Sequence, residues 1–182
     1  MAQSFGADRD RAALRAAIFS REVWLPLNRG ELTVAEAKSH YVADALMTSA
    51  EADHLFETII ASMEPLPGSV PLMERLRASG YRVLALSDNV HEFVDHYKAH
   101  HDWWSLLDGA VISAELGIVK PDPAIYHALV RDWDVTLNEA VFMDDVVANV
   151  EGARATGLHA FQFTSADAAE TQLAQAFGLS IA

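Results

Sequence analysis

Residues 140–157 read AVFMDDVVANVEGARATG. Ala140 to Met143 form a short apolar run, which predicts a buried strand. Asp144 and Asp145 follow at once, and the residues after them read as a helix closed by Gly157. Two adjacent carboxylates repel each other, and a cation beside them relieves that repulsion. In open α/β sheets, ligands gather at the carboxyl ends of the strands. The stretch therefore suggests a divalent-cation site on a strand-to-helix turn. The alternative is a polar turn whose first Asp simply caps the helix, because Asp is a favoured cap residue.

Around this stretch the chain alternates helices with short apolar strands. Helices are expected over residues 70–79, 89–101, 123–133, 146–156 and 166–177. Strands are expected over 81–86, 110–112, 140–143 and 158–163. Such alternation implies parallel pairing and a doubly wound α/β layer. Before it, residues 1–64 read as all helical. Thr33-Val34-Ala35-Glu36 and Thr48-Ser49-Ala50-Glu51 both have the hydroxyl-to-carboxylate spacing of a capping box. They open helices expected to run to about Met47 and Met63. Residues 20–28 read as irregular, with Pro26 limiting any helix. Pro65-Leu66-Pro67-Gly68 breaks the pattern. The division expected is a helical cap over 1–66 and an α/β core over 67–182.

Composition narrows the function classes. The 182 residues suffice for one sizeable core, and 51% hydrophobic with 21% charged residues is ordinary for a folded protein. A net charge of −13 argues against nucleic acid or an anionic membrane as partner, but leaves room for a small phosphorylated metabolite met by local positive charge. With no cysteine there is no thiol nucleophile and no disulfide framework, in keeping with a cytoplasmic protein. No signal peptide is evident, and no apolar run approaches the ~18 residues of a membrane span.

Three strand ends carry polar groups. Leu86-Ser87-Asp88-Asn89 sets a hydroxyl where an apolar strand meets a helix start; there it suits a phosphate oxygen or caps the helix. Gly117-Ile118-Val119-Lys120-Pro121-Asp122-Pro123 sets a lysine in a proline-stiffened turn, where it balances a phosphate or a carboxylate cluster, unless it is a surface lysine. Asp144-Asp145 is the third. Parallel strands bring all three to one edge.

In order and spacing, VLALSDN, GIVKPDPAIY and VFMDDVVANVEGARATG resemble the haloacid dehalogenase superfamily of hydrolases. The resemblance runs from about Leu66 to Phe163. The N-terminal helices look like the small helical cap of the subgroup with sugar-phosphate phosphatases and the phosphatase domain of soluble epoxide hydrolases. The resemblance implies a Rossmannoid core and a Mg2+-dependent phosphomonoester hydrolase. Ser87 and the Asp88 amide would hold the phosphoryl group. Lys120 would bind phosphate and offset the acids. Asp145 would be the direct Mg2+ ligand, Asp144 a near or water-mediated one, and Asn149 would orient the acidic loop. The Asp88 side chain departs from the Asn common in the family.

The family's nucleophile, the first Asp of a D-x-D pair at the end of a strand preceding the cap, is not found. Asp8 and Asp10 have the spacing, but MAQSFGA before them is no apolar strand. Residues 17–22, AIFSRE, mimic a strand ending but offer serine for carboxylate. By the resemblance the missing strand lies between those ending at Met143 and Leu86. The chain is therefore expected to be truncated and inactive alone, to have the gap filled by another segment or a strand-donating partner chain, or to be a member that no longer does the chemistry; the other partner expectation is a homo-oligomer. A 2-haloacid dehalogenase and a non-catalytic phospho-ligand module are the other readings. The acid pair, which would repel a haloacid carboxylate, counts against the former. His91, His96, His100 and His101 read as a solvated helix face rather than a zinc site, and Tyr126 as a buried aromatic.

Overall fold

The computed structural model describes residues 11–181. Asp8 and Asp10 lie outside them. The first helices are α1 (Arg11–Ile18), α2 (Trp24–Asn28), α3 (Val34–Ala43) and α4 (Ser49–Ala61). Both capping boxes form: the carboxylates of Glu36 and Glu51 accept the backbone amides of Thr33 and Thr48 at 2.8 and 2.7 Å. α3 stops before the expected Met47 because Ala45 adopts φ +54° and the Leu46 amide turns back to the Tyr41 carbonyl at 3.0 Å. α2 was not expected. Pro26 falls in its first turn, where no intrahelical amide is needed, and Leu27 beside it is fully buried. Residues 17–22 are the end of α1 and a turn, not a strand.

Leu27, Tyr41, Leu55 and Phe56 build an apolar cluster that also takes in Val90 and Phe93. The Tyr41 hydroxyl donates to the Ile18 carbonyl at 2.7 Å, and burial pushes its phenol up to about 12. The helical part is thereby packed on the chain segment that follows Ser87.

The rest alternates: α5 (Ser69–Ala78), β1 (Leu84–Ser87), α6 (His91–His100), β2 (Gly109–Ile112), α7 (Ser113–Leu116), α8 (Pro123–Trp133), β3 (Val141–Asp144), α9 (Val147–Ala155), β4 (His159–Gln162) and α10 (Ala166–Phe177). Single 3-10 turns cover Asp102–Leu106 and Leu137–Glu139. β1 starts at Leu84 rather than Tyr81. Gly80, at φ +85°, lets the Tyr81 amide close α5 onto the Leu76 carbonyl at 3.0 Å, so Tyr81 belongs to the helix end.

All pairing is parallel. β1 runs beside β2, with Leu84 opposite Gly109 and Ser87 opposite Ile112. β3 runs beside β4, with Val141 opposite His159 and Asp144 opposite Gln162. Among the described residues the strands form two two-stranded sheets, and none pairs β1 with β3, the place where the resemblance puts the missing strand. One apolar cluster holds Val111, Ile125, Tyr126, Leu129, Val150 and Ala153, packing α8 and α9 on the strands. Another joins Leu72 and Leu76 of α5 to Phe161 and Leu173. No helix among the described residues is long and apolar enough to cross a membrane.

Candidate phosphate and cation site

Lys120 joins the two sheets. Its ammonium donates to the Leu86 carbonyl of β1 at 2.9 Å and to Asp144 Oδ2 of β3 at 2.7 Å. Both side chains are nearly buried, at 9% and 7% exposure, so the attraction is screened far less than at the surface. The same nitrogen lies 5.7 Å from the centre of the Phe142 ring. An ammonium has three protons, and these two bonds use two of them.

Asp144 is satisfied on both oxygens. Oδ1 accepts the Val146 amide at 2.8 Å and the Asn149 side-chain amide at 3.0 Å, while Oδ2 takes Lys120. Val146 is the cap residue of α9 and offers no side-chain cap of its own. Asp144 thus steadies the turn into α9 and holds the lysine; the cap and charge-pair readings of the sequence describe one residue. Asp145 differs. Its carboxylate is exposed, and its carbonyl is held by the Gln162 side-chain amide at 2.9 Å.

The lysine is positioned from behind. Its backbone amide donates to Asp88 Oδ1 at 2.9 Å, which turns the Asp88 carboxylate onto the backbone of the Lys120 loop. Burial raises the pKa of that carboxyl, and the bond from Lys120 partly offsets the rise. The Lys120–Pro121 peptide is cis, and Asp122 then caps α8 by accepting the Ala124 amide at 2.9 Å. Gly152 of α9 lies against the loop: a Cβ there would come within 2.7 Å of Pro121 Cβ and 2.9 Å of its carbonyl oxygen. Tyr126, fully buried as expected, donates to the Asn149 carbonyl at 2.8 Å, tying α8 to α9; burial raises its pKa, with the Asp144 and Asp88 charges adding to the rise.

Ser87 ends β1 and lines a cavity of about 370 Å³ with Leu84, Asn89 and Met143; its hydroxyl has no hydrogen-bond partner among the described residues. Ser87, Lys120, Asp144 and Asn149 therefore meet where β1 and β3 end, with Asp145 on the exposed side. His91, His96 and His100 stand apart on α6, with His101 just after it, and the rings of His96 and His100 stack at 4.3 Å.

Ser113 had no part in the sequence reading. It is fully buried; its hydroxyl donates to the Asn28 carbonyl at 2.6 Å and accepts the Asn89 amide at 2.9 Å, linking α2, the β1 loop and the end of β2. The signal was available: like Ser87, it directly follows an apolar strand.

Among the described residues no three acid, histidine or cysteine side chains converge to hold a metal. Asp144 Oδ2 accepts only the Lys120 bond and keeps a lone pair, so the acids at the site are the exposed Asp145 carboxylate and, beside it, Asp144. That fits Mg2+, which keeps several waters and takes one or two carboxylates with substrate phosphate oxygens.

The family model for haloacid dehalogenase-like hydrolases matches residues 3–157. A drimenol cyclase from Aspergillus calidoustus is 30% identical over 86% of this chain, and the chain spans only 30% of its length. A sesquiterpene phosphatase from Aspergillus oryzae is 24% identical over 88% of this chain and 82% of its own. The fold is similar to that of a haloacid dehalogenase family enzyme from Bacteroides thetaiotaomicron, solved with magnesium and inorganic phosphate. There the TM-score is 0.68 at 19% identity, covering 81% of this chain and 78% of the other. With the family model matching most of its length, the chain belongs to the haloacid dehalogenase-like hydrolases.

Proposed function

We propose that this chain forms the phosphoryl- and cation-binding core of a Mg2+-dependent phosphomonoester hydrolase acting on a small phosphorylated metabolite. The observation that carries the reading is the Lys120 ammonium, shared between the Leu86 carbonyl and Asp144 with a third proton left over. That proton, the Ser87 hydroxyl, which has no partner among the described residues, and the Asp88 amide are donors suited to phosphoryl oxygens, the Asn89 amide being taken by Ser113. Asp144 keeps the lysine in register and, through the Val146 amide and Asn149, keeps the acidic turn in shape. Asp88, turned onto the Lys120 backbone, leaves its own amide for phosphate without directing a carboxylate at it. Asp145 would hold Mg2+, which when bound neutralises charge on the phosphoryl oxygens. The name of the Aspergillus oryzae relative, a phosphatase of which the chain spans 82%, supports the choice of phosphate over halide chemistry.

None of these residues is an attacking carboxylate, so the chain by itself is expected to bind phosphate esters without hydrolysing them. Incubation with p-nitrophenyl phosphate and Mg2+, and separately with 2-chloropropionate, tests the reading. Neither p-nitrophenol nor chloride should be released. Chloride release undiminished by EDTA would make the protein a dehalogenase. p-Nitrophenol release lost in Asp145→Ala would put the nucleophile within these residues.

A further inference from the structure

The buried Ser113 hydroxyl joins the loop that offers its amide to phosphate with the end of α2 in the helical part. It accepts the Asn89 amide at 2.9 Å and donates to the Asn28 carbonyl at 2.6 Å. Asn89 directly follows Asp88, and Asn28 is the last residue of α2. A hydroxyl has one proton. Asn28 takes it, since the Asn89 carbonyl lies farther off at 3.3 Å. Accepting from one partner while donating to the other polarises the hydroxyl and strengthens both bonds. The Ser113 carbonyl is engaged in α7, where it accepts the Gly117 amide at 2.8 Å, so the side chain supplies the acceptor for Asn89.

The loop and the turn after α2 are both fixed around this point. On the loop, the Asp88 carboxylate accepts the Lys120 amide at 2.9 Å, and the Asn89 side chain accepts the Val90 amide at 2.9 Å. With its carboxylate held on one side and the next amide held by Ser113 on the other, the Asp88 backbone has little freedom to rotate. On the turn, Gly30 has φ +67°, and a Cβ there would lie 2.3 Å from the Ala114 carbonyl oxygen and 2.9 Å from His91 Nε2. Glycine lets the chain settle onto Ser113–Ala114 closely enough for the Asn28 bond to form. A second tie between the same two parts lies at the surface, where the Glu92 carboxylate accepts the Val34 amide of α3 at 2.8 Å.

We propose that Ser113 is a positioning residue for phosphate binding, a role that rests on the phosphate-binding reading of Ser87, Asp88 and Lys120. Its hydroxyl holds the Asp88–Asn89 peptide in the setting that presents the Asp88 amide. It also passes the seating of α2 to that peptide, so the site reaches full strength only with the Asn28–Gly30 turn docked. Coupling of this kind is reciprocal: phosphate that orders Asp88 and Asn89 also holds the turn after α2, with no contact between phosphate and the helical part.

Calorimetric titration of the full chain with inorganic phosphate and Mg2+, and amide exchange with and without them, test this. The reporters are the Lys120 amide, which donates to Asp88 at the site, and the Arg29 and Gly30 amides, which close α2 onto Leu25 and Leu27. In the parent, saturating phosphate and Mg2+ should slow exchange of all three by about fivefold or more. Ser113→Ala should bind phosphate about fivefold or more weakly. At saturation it should still slow Lys120 but no longer Arg29 and Gly30. The control Tyr41→Phe removes another buried hydroxyl bond of the helical part, to the Ile18 carbonyl, and should bind as the parent does. Absence of both binding heat and slowing at Lys120 in the parent would overturn the phosphate reading and the role of Ser113 with it. Slowing at Lys120 without slowing at Arg29 and Gly30 would leave the phosphate reading standing and overturn the role of Ser113. So would parent-like affinity in Ser113→Ala, slowing of Arg29 and Gly30 that persists in it, or an equal loss in Tyr41→Phe, which would mark general loosening of the helical part.

Discussion

The ammonium of Lys120 lies 2.7 Å from Asp144 Oδ2, with both side chains nearly buried, and this pair ties the end of β3 to the loop that crosses the end of β1. Because neither partner is solvated, removing one strands the other. Lys120→Met should lower the unfolding free energy by about 3 kcal/mol, at the lower end for a broken buried pair because Asp144 keeps the Val146 and Asn149 bonds. Denaturant titration measures it. A loss below about 1 kcal/mol would make the pair a surface-like contact.

Gly152→Ala sets two effects of opposite sign against each other. Alanine within a helix is favoured over glycine by about 1 kcal/mol. Against this, the new methyl would lie 2.7 Å from Pro121 Cβ and 2.9 Å from its carbonyl oxygen, too close for either atom. Overpacking of this kind costs about 1–3 kcal/mol. The contact should win, so the variant should melt lower than the parent in a thermal scan and show a displaced Lys120 loop.

How far the site was legible in the sequence depended on whether its cause was local. The capping boxes at Thr33 and Thr48 depend on residues three apart, and both formed as read. The helix over Pro123–Trp133 formed as expected after the proline pair, while the Asp122 cap at its start was not read. The strand expected from Tyr81 failed because Gly80 turns that residue back onto Leu76, a closure that hydropathy does not register. α2 was missed because a proline reads as a breaker unless its position within the first turn is known. The approach of Lys120 to Asp144 follows from strand packing; the sequence supplied candidates at one sheet edge but not their pairing or the different exposure of Asp144 and Asp145. The turn of Asp88 onto the Lys120 amide was equally unreadable, since it depends on a contact between residues far apart in the chain.

Asp88 gives the protein a pH dependence of known sign. Burial raises its pKa above 3.8, so between 3.8 and that raised value the folded chain binds more protons than the unfolded one. The Asp88 contribution to stability therefore falls as pH rises through this window. Asp88→Asn removes the buried charge and keeps an oxygen for the Lys120 amide. The variant should be more stable than the parent near neutral pH, with the difference shrinking as pH falls toward 3.8. Denaturation midpoints across that range measure it; a difference that grows on acidification would reverse the sign.

Ser113 should matter to the fold more than an unremarked serine suggests. Ser113→Ala leaves the Asn28 carbonyl and the Asn89 amide without their shared partner at a fully buried point. Unsatisfied buried groups cost about 1–3 kcal/mol each. A stability loss in that range is expected in denaturant titration, with loosened amide exchange at Asn89.

The claim on which the rest depends is that Ser87, Lys120 and Asp145 together hold a phosphoryl group with Mg2+. Calorimetric titration of the full chain with inorganic phosphate in the presence of Mg2+ tests it most directly. The expected result is saturable binding that requires Mg2+, is weakened about tenfold or more in Ser87→Ala, and loses its Mg2+ dependence in Asp145→Asn. Absence of saturable binding, or equal affinity in parent and both variants, would contradict it.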